Sequence, residues 1–534
     1  MIESVSDPIS ELSDSVRVAA ARVRGAELPQ APTLERPPRP EMGDYSTNAA
    51  MLLAPTLGEP PRDIASRVAD ELTGAMGEAL ERAEVAGPGF VNLHMADRWY
   101  LDAMTSALDA GPDWGAGKPS APERQLVEFV SANPTGPITV AAGRHAAYGD
   151  ALSRILAFAG HEVEREYYVN DYGTQVRLFE ESIRTRAKGE EPPEGAYRGA
   201  YVTELAERLD PDADDLAGRG VAAMMEQVEA TLERFRVRMD RFFSERSLHE
   251  GGAIARELDL LEERDHVYSH EGAVWLRSTS LGDDKDRVLM RSTGELTYYA
   301  ADIAYHQDKL ERGYDRVIDV LGADHHGYVG RVLAAWKALG GDPERIEFLI
   351  MQLVNLMERG ERVQMSKREG EFVTLDDLLD DIGVDAARWF LLQRSHETTL
   401  DLDLELARSQ SQDNPVYYVQ YAHARIASIL RRAGEEKVAA ASAEAGHPLH
   451  PSTKLVIKRL LELPTEVAEA AARRAPHRLT AYAHETAQDF SAFYRDCKVL
   501  NNPNERARLA LCIETKAVLA RCLDLLGVEA PEEM

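Results

Sequence analysis

The stretch from Val127 to Asp150 constrains this chain most. Leu126, Val127, Phe129 and Val130 form a short apolar run rich in β-branched residues and read as a strand. Asn133-Pro134 and Thr135-Gly136-Pro137 then stop the strand and force a tight loop. After Gly143 the pattern is helical, with Leu152, Ile155, Leu156 and Ala159 at i, i+3, i+4 and i+7, and Gly160 at the stop. Val163–Val169 reads as the next strand, so the segment is a β-loop-α-β unit of the parallel, doubly wound type. Such a unit aims backbone N–H groups and the positive end of a helix dipole at the loop, which suits a phosphate. An ordinary structural βα unit has the same pattern.

The rest of the chain falls around this unit. Residues 1–115 read as a small α+β domain: a helix at Val16–Val23, a proline-rich passage from Pro29 to Pro40, a short helix Asn48–Leu53 expected to end before Pro55, and a strand after Gly87-Pro88-Gly89. A second domain is expected over 120–400, with a helical, charge-laced insertion at about 175–285. Strand-like runs return at Val288–Arg291, Arg316–Leu321 and Ile346–Val354. Asp324, His325 and His326 follow the second of these, at the strand end where ligands bind in such sheets. Residues 405–534 read as a helix bundle, with Val416, Val419, Ile426 and Leu430 on one face.

Composition excludes some classes. The 534 residues carry a net charge of −30, which argues against a polyanionic partner when taken alone. Residues 410–534, however, hold sixteen Lys or Arg against sixteen Asp or Glu, so the acidic excess lies in residues 1–409. Three cysteines, Cys497, Cys512 and Cys522, show neither zinc spacing nor a disulfide pattern, so no bound metal is expected. The acidic N-terminus lacks a signal peptide pattern, and no apolar run approaches the ~18 residues that span a membrane. A cytoplasmic protein is expected.

Longer motifs narrow the reading. Ser131-Ala132-Asn133-Pro134-Thr135-Gly136-Pro137, Gln364-Met365-Ser366-Lys367-Arg368, Val373-Thr374-Leu375-Asp376-Asp377-Leu378-Leu379, Asn414–Arg425 and Phe493–Leu500 occur in this order. Together they resemble the class I arginyl-tRNA synthetases over nearly the whole length. That resemblance implies a Rossmann-like catalytic domain, an N-terminal domain that contacts tRNA, and an anticodon-binding bundle. It implies ATP with Mg2+ as substrate, L-arginine and tRNA(Arg) as partners, an arginyl-adenylate intermediate and activation that needs tRNA. A monomer is expected.

By the same resemblance, ATP is held by Thr139, Val140, Ala141, Ala142, Gly143, Met365, Ser366 and Lys367. Arginine is held by Glu128, Ser131, Asn133, Tyr298, Asp302, Asp324 and His326. A guanidinium has five fixed donors and needs planar acceptors, and an Asp four residues after a Tyr on a helix shares its face. Read from spacing alone, Tyr298 and Asp302 equally describe a surface helix, and Glu128 could pair with a structural Arg. His325 and His326 could be metal ligands or acids, although no further Cys/His cluster supports a metal. Tyr417, Tyr421, Arg425, Tyr494 and Lys498 are the tRNA candidates, suited to stacking and phosphate contacts, and tyrosines at this spacing also describe a core.

The chain departs from the family at one place. Where the family has His-Ile/Val-Gly-His, this sequence reads Thr139-Val140-Ala141-Ala142. Both imidazoles are missing. Thr139 and His145, with Ser366 and Lys367, are the remaining candidates for catalytic donors. Two functions follow: a working arginine–tRNA ligase, or a non-catalytic or repurposed paralogue that binds tRNA or arginine.

Overall fold

The computed structural model describes residues 7–325, 327–363 and 373–534. Its N-terminal unit packs four helices, Pro8–Arg24, Ala49–Leu57, Pro61–Met76 and Asp97–Ala110, against a four-stranded antiparallel sheet. Asp7 caps the first helix and Gly25, at φ 74°, ends it. The second helix runs through Pro55 rather than stopping before it. Its buried face, Ala49, Ala50 and Leu53, holds the turn in place despite the missing donor. The unit docks on the C-terminal bundle. Lys458 pairs with Asp44 at 3.0 Å, Lys454 with Asp97 at 2.6 Å, and the Trp114 indole donates to the Leu460 carbonyl at 3.0 Å.

The central sheet has five parallel strands: β1 (Arg124–Glu128), β2 (Glu162–Val169), β3 (Arg241–Ser244), β4 (Arg316–Gly322) and β5 (Ile346–Met351), in the order β5-β4-β1-β2-β3. Residues after every strand therefore emerge on one edge, with those after β1 and β4 at its middle. Helix α1 (Val140–Phe158) crosses from β1 to β2 and is buried along most of its length. It starts three residues before the end of the expected loop, because Thr139 acts as its N-cap. Helix α2 (Tyr298–Glu311) leads toward β4.

The span 175–285 is less helical than its sequence suggests. It contributes β3 to the central sheet and two strands of a separate antiparallel sheet, Val267–His270 and Ala273–Leu276. Arg287–Met290 joins that smaller sheet rather than the central one. These strands are four residues each, too short to impose a period against the charged helices around them. The run Ile346–Val354 likewise divides. Val354–Glu358 pairs with Leu400–Asp403 in a third sheet.

Helix α3 (Leu375–Leu392) leads from there to the C-terminal bundle, in which α4 (Pro415–Ala433), α5 (His477–Asp496) and α6 (Glu505–Leu525) are the long members. Among the described residues, no helix is long and apolar enough to cross a membrane.

One bundle residue departs from ordinary packing. Glu514 in α6 is 2 % exposed, its Oε1 has no hydrogen-bond partner, and burial pushes its carboxyl up to about 7. A carboxyl held above its unfolded value binds a proton in the native state that the unfolded chain has released. Stability is therefore lost as pH rises from the unfolded value through about 7, reaching a cost of about 3 kcal/mol. Glu514→Gln is expected to raise Tm, and to raise it more at pH 8 than at pH 6. Equal shifts at both pH values in scanning calorimetry would contradict this assignment.

Candidate active site

The loop after β1 begins with a sharp reversal. Val130 and Ser131 have φ of 69° and 41°, and the Ser131 N–H donates to the Phe129 carbonyl at 3.0 Å. A β-branched residue in the left-handed region is strained, and such strain persists only where surrounding contacts fix it. Here the Tyr167 hydroxyl donates to the Ala132 carbonyl at 2.7 Å, and Tyr201 to the Thr135 carbonyl at 2.9 Å. The reversal aims Ser131 back at the strand. Its hydroxyl donates to Glu128 Oε1 at 2.9 Å and accepts from the Tyr168 N–H at 3.1 Å. Asn133 is exposed on the loop.

The loop ends at the N-terminus of α1. The Thr139 side chain accepts from the Ala142 N–H at 3.3 Å, so its hydroxyl proton stays available to a ligand. Ala141 is exposed and Ala142 half-buried, whereas Val140 and Gly143 are buried. A Cβ at Gly143 would lie 2.7 Å from Leu375, so this glycine permits close approach of α3. The same segment joins the chain that follows Gln364-Met365-Ser366-Lys367-Arg368, which resembles the family's KMSK loop. Val140 N–H donates to the Val373 carbonyl at 3.3 Å, Leu375 N–H donates to the Ile138 carbonyl at 2.7 Å, and Thr139 bridges Thr374. Met365, Ser366 and Lys367 themselves lie outside the described residues, as does His326.

His145, one turn further along α1, sits beside the end of β4. Its Cε1 would be 3.7 Å from a Cβ at Gly322, and the exposed Asp324 and His325 follow directly. Burial and the neighbouring Arg144 charge hold its imidazole down to about 4. At neutral pH it is an uncharged donor or acceptor.

A pocket lined by carboxylates opens between β2, β3 and α2. Glu128, 8 % exposed, occupies its floor. Asp302, half-buried on α2, faces Tyr328 and Glu245. Tyr298 lies one turn toward the helix start, 56 % exposed, with its ring against Gly173 at the rim. The structure thus brings together Glu128, Ser131, Tyr298 and Asp302, and adds Glu245, Tyr168 and Tyr328, which sequence reasoning missed. Glu245 is 3 % exposed and follows the last residue of β3. Its one sequence signal is the aromatic pair Phe242-Phe243 between charged residues.

Among the described residues, no Lys or Arg forms an ion pair with Asp302 or Glu245. The imidazole of His249, 3.5 Å from Glu245, is held below its ordinary range by burial. Burial pushes Asp302 up to about 6, and burial together with the Asp302 charge pushes Glu245 up to about 7. Two neighbouring carboxyls, one buried and one half-buried, that form no ion pair with a Lys or Arg among the described residues suit a planar cation, because a guanidinium can satisfy both at once. No group of three or more His, Cys, Asp or Glu is placed to hold a metal among the described residues.

A second cleft, about 380 Å³, lies in the bundle between α4 and α5. Tyr421, Arg425 and Tyr494 line it, as do Arg431 and Arg432, which the sequence reading did not select. The Arg425 guanidinium lies 4.6 Å from the Tyr421 ring centre and 5.3 Å from that of Tyr494. Tyr417 stacks on Tyr421 at 6.2 Å without lining the cleft, and Lys498 is exposed beyond the end of α5. Rings and guanidinium groups in this arrangement offer stacking faces and phosphate contacts to a single-stranded nucleic acid.

Comparison with known proteins matches three families along the chain. Residues 10–95 match the arginyl tRNA synthetase N terminal domain, 115–190 and 176–411 the class I (R) tRNA synthetase catalytic domain, and 419–534 the DALR anticodon binding domain. Among solved structures, a Campylobacter jejuni protein assigned as an arginyl-tRNA synthetase is 33 % identical. That match covers 82 % of this chain and all of the other, with a TM-score of 0.77. The Thermus thermophilus arginyl-tRNA synthetase is 26 % identical over 98 % of this chain and all of its own, with the same TM-score of 0.77. The Plasmodium falciparum arginyl-tRNA synthetase, 19 % identical, shares the fold over 98 % of this chain and 99 % of its own at a TM-score of 0.75.

The carboxylate pocket predicts a pH dependence. Its carboxyls are raised, so they are protonated in the empty pocket at low pH, while a cation binds the ionised form and releases protons. Affinity for L-arginine should therefore rise with pH and level off above about 7. Calorimetric titration should show about tenfold or more weaker binding at pH 5.5 than at pH 7.5. Equal affinity at the two pH values would remove Asp302 and Glu245 from the binding site.

Proposed function

Because this chain belongs to the class I arginyl-tRNA synthetase family, we propose that it is an arginine–tRNA ligase that works through an arginyl-adenylate. In this reading the arginine carboxylate attacks the α-phosphate of ATP, pyrophosphate leaves, and a hydroxyl at the tRNA 3′ end then displaces AMP from the adenylate. No covalent enzyme intermediate is required. The work is positioning of reactants and stabilisation of phosphate charge.

The observation that carries the proposal is the carboxylate pair Asp302 and Glu245, with neither of which a Lys or Arg forms an ion pair among the described residues; Glu245 follows β3 and the start of α1 follows β1, on the same edge of the central sheet. A cationic side chain and a polyanionic triphosphate would meet there on adjoining surfaces. Asp302, Glu245 and Tyr298 take the guanidinium in this reading. Glu128, Ser131 and Asn133 lie toward the end of the ligand nearer the strand. Asp324 and His326 follow β4 on the same edge of the sheet. ATP, with Mg2+ as part of the substrate, lies against Thr139, Val140, Ala141, Ala142 and Gly143. Met365, Ser366 and Lys367 reach it from the KMSK-like segment. Thr139 supplies a hydroxyl where the family has an imidazole, and the uncharged His145 stands one turn behind it.

Binding of tRNA(Arg) is assigned to the bundle, residues 405–534, and to the N-terminal unit, residues 1–115, which Lys454 and Lys458 clamp to it. The Tyr421–Arg425–Tyr494 cleft is the proposed seat of an unstacked base. Its three arginines supply local positive charge that the net charge of −30 conceals. A cytoplasmic monomer acting in translation is the setting this reading implies.

Arginylation of purified tRNA(Arg) with labelled arginine tests the assignment, with tRNA present from the start. The wild type is expected to charge tRNA. Lys367→Ala should lower kcat by about a hundred-fold, and Thr139→Val by about tenfold or more, with arginine KM little changed. Absence of charging by a wild type that still binds tRNA would instead favour a paralogue without ligase activity.

A further inference from the structure

Glu128 is held from behind by a lysine to which no role has been assigned so far. Lys309, on the last turn of α2, is 0 % exposed. Its Nζ lies 2.6 Å from Glu128 Oε2 and 2.8 Å from Asp319 Oδ1, and 4.3 Å from the centre of the Tyr305 ring. Among the described residues, no other Lys or Arg forms an ion pair with Glu128.

The groups facing Glu128 are otherwise acidic or neutral. From α2 come Asp302 and Tyr305, whose hydroxyl is 2.8 Å from Glu128 Oε2 and 2.7 Å from Glu166 Oε1 and can donate to one of them at a time. From β4 comes Asp319, which also faces His306 at 3.4 Å. From β2 come Glu166 and Tyr168, and Tyr328 faces the same cluster. Glu166 is already neutralised by Arg312, which donates to its two oxygens at 2.6 and 2.9 Å. Burial works against a charge on Lys309, but Asp319 and Glu128 outweigh it and hold the ammonium above its ordinary range.

We propose that Lys309 is a positioning residue for the amino-acid substrate: its ion pair fixes both the orientation and the negative charge of Glu128. The ion pair occupies Oε2. Oε1 accepts from Ser131 and keeps a second lone pair for a donor on the ligand. Without Lys309, Glu128 would have no ion-pair partner among the described residues, and the acidic cluster it forms with Asp319 and Asp302, left with the Arg331 charge and the His306 ring, would take up a proton more readily. The carboxylate offered to the ligand would then be intermittently neutral. The inference rests on arginine being the ligand of this pocket.

The test compares wild type with Lys309→Met at pH 6.5, 7.5 and 8.5, reading KM for arginine, ATP and tRNA in the arginylation assay. The expected result is an arginine KM raised about tenfold or more at pH 6.5 relative to wild type, with recovery toward wild type at pH 8.5 as the acidic cluster as a whole releases the proton it gained. ATP and tRNA KM should stay within about twofold. A rise of the same factor at every pH, or a parallel rise for ATP and tRNA, would indicate a packing defect and overturn the proposal.

Asp319→Asn provides the decision if Lys309→Met does not fold. It preserves the Lys309–Glu128 contact, so arginine KM should move less than about threefold. A tenfold rise would mean that the network acts only as a structural unit. Should the wild type itself fail to charge tRNA, the ligase assignment falls, and the same comparisons are made with arginine Kd by calorimetry.

Discussion

The buried ion pair between Asp150 and Arg388 ties this protein together. The two side chains are 1 % and 0 % exposed and meet at 2.6 Å. Arg388 also donates from Nε to the Leu526 carbonyl at 2.7 Å and from Nη1 to the Phe235 carbonyl at 2.8 Å. One guanidinium thus joins α1, α3, the insertion and the end of α6. Gly527 is needed beside it, because a Cβ there would lie 2.3 Å from the guanidinium. Two charges taken out of water cost several kcal/mol before their attraction offsets it, and removing one partner typically costs ~3–5 kcal/mol. The pair is therefore less a source of net stability than a constraint on how four segments meet.

A second arginine on α1 extends the constraint toward the site. Arg144, 1 % exposed, donates to the carbonyls of Gln352, Ser395 and Thr398 at 2.7, 2.9 and 3.0 Å, without a carboxylate partner among the described residues. Burial holds it down to about 10, still charged at neutral pH. It fixes the turns of α1 that follow Thr139 against the third sheet. On the next turn the Tyr148 hydroxyl donates to the Arg474 carbonyl, and Arg474 forms a two-pronged pair with Glu347 of β5 at 2.9 Å. The helix that follows β1 is thus bonded along its length to the sheets, the insertion and the bundle.

How much of this was legible in the sequence follows from the range of the interactions. The β1–α1–β2 unit was legible because its signals are local: a β-branched run, a Pro/Gly loop and a helical period. Tyr298 and Asp302 were singled out by the family resemblance, since one helical turn puts them on a common face whether or not that face lines a site. Thr139 as N-cap was not read, because Gly143 interrupts the helical period and the loop was carried through to it. Glu245 was not, because its strand is four residues long and is defined by its pairing with β2. Lys309 and Asp319 were not, because charged residues on a helix and a strand read as solvated faces until folding closes over them. The fold was carried by local chemistry, whereas the carboxylate pocket depends on partners far apart along the chain.

The bonding along α1 has a mechanical consequence. A nucleic acid that reached from the bundle cleft to the carboxylate pocket, as the proposed function requires, would span two places that the described residues join through one helix. In such a complex the deformation work of docking would fall on the tRNA, and a nucleic acid too stiff at its ends would meet one site and miss the other.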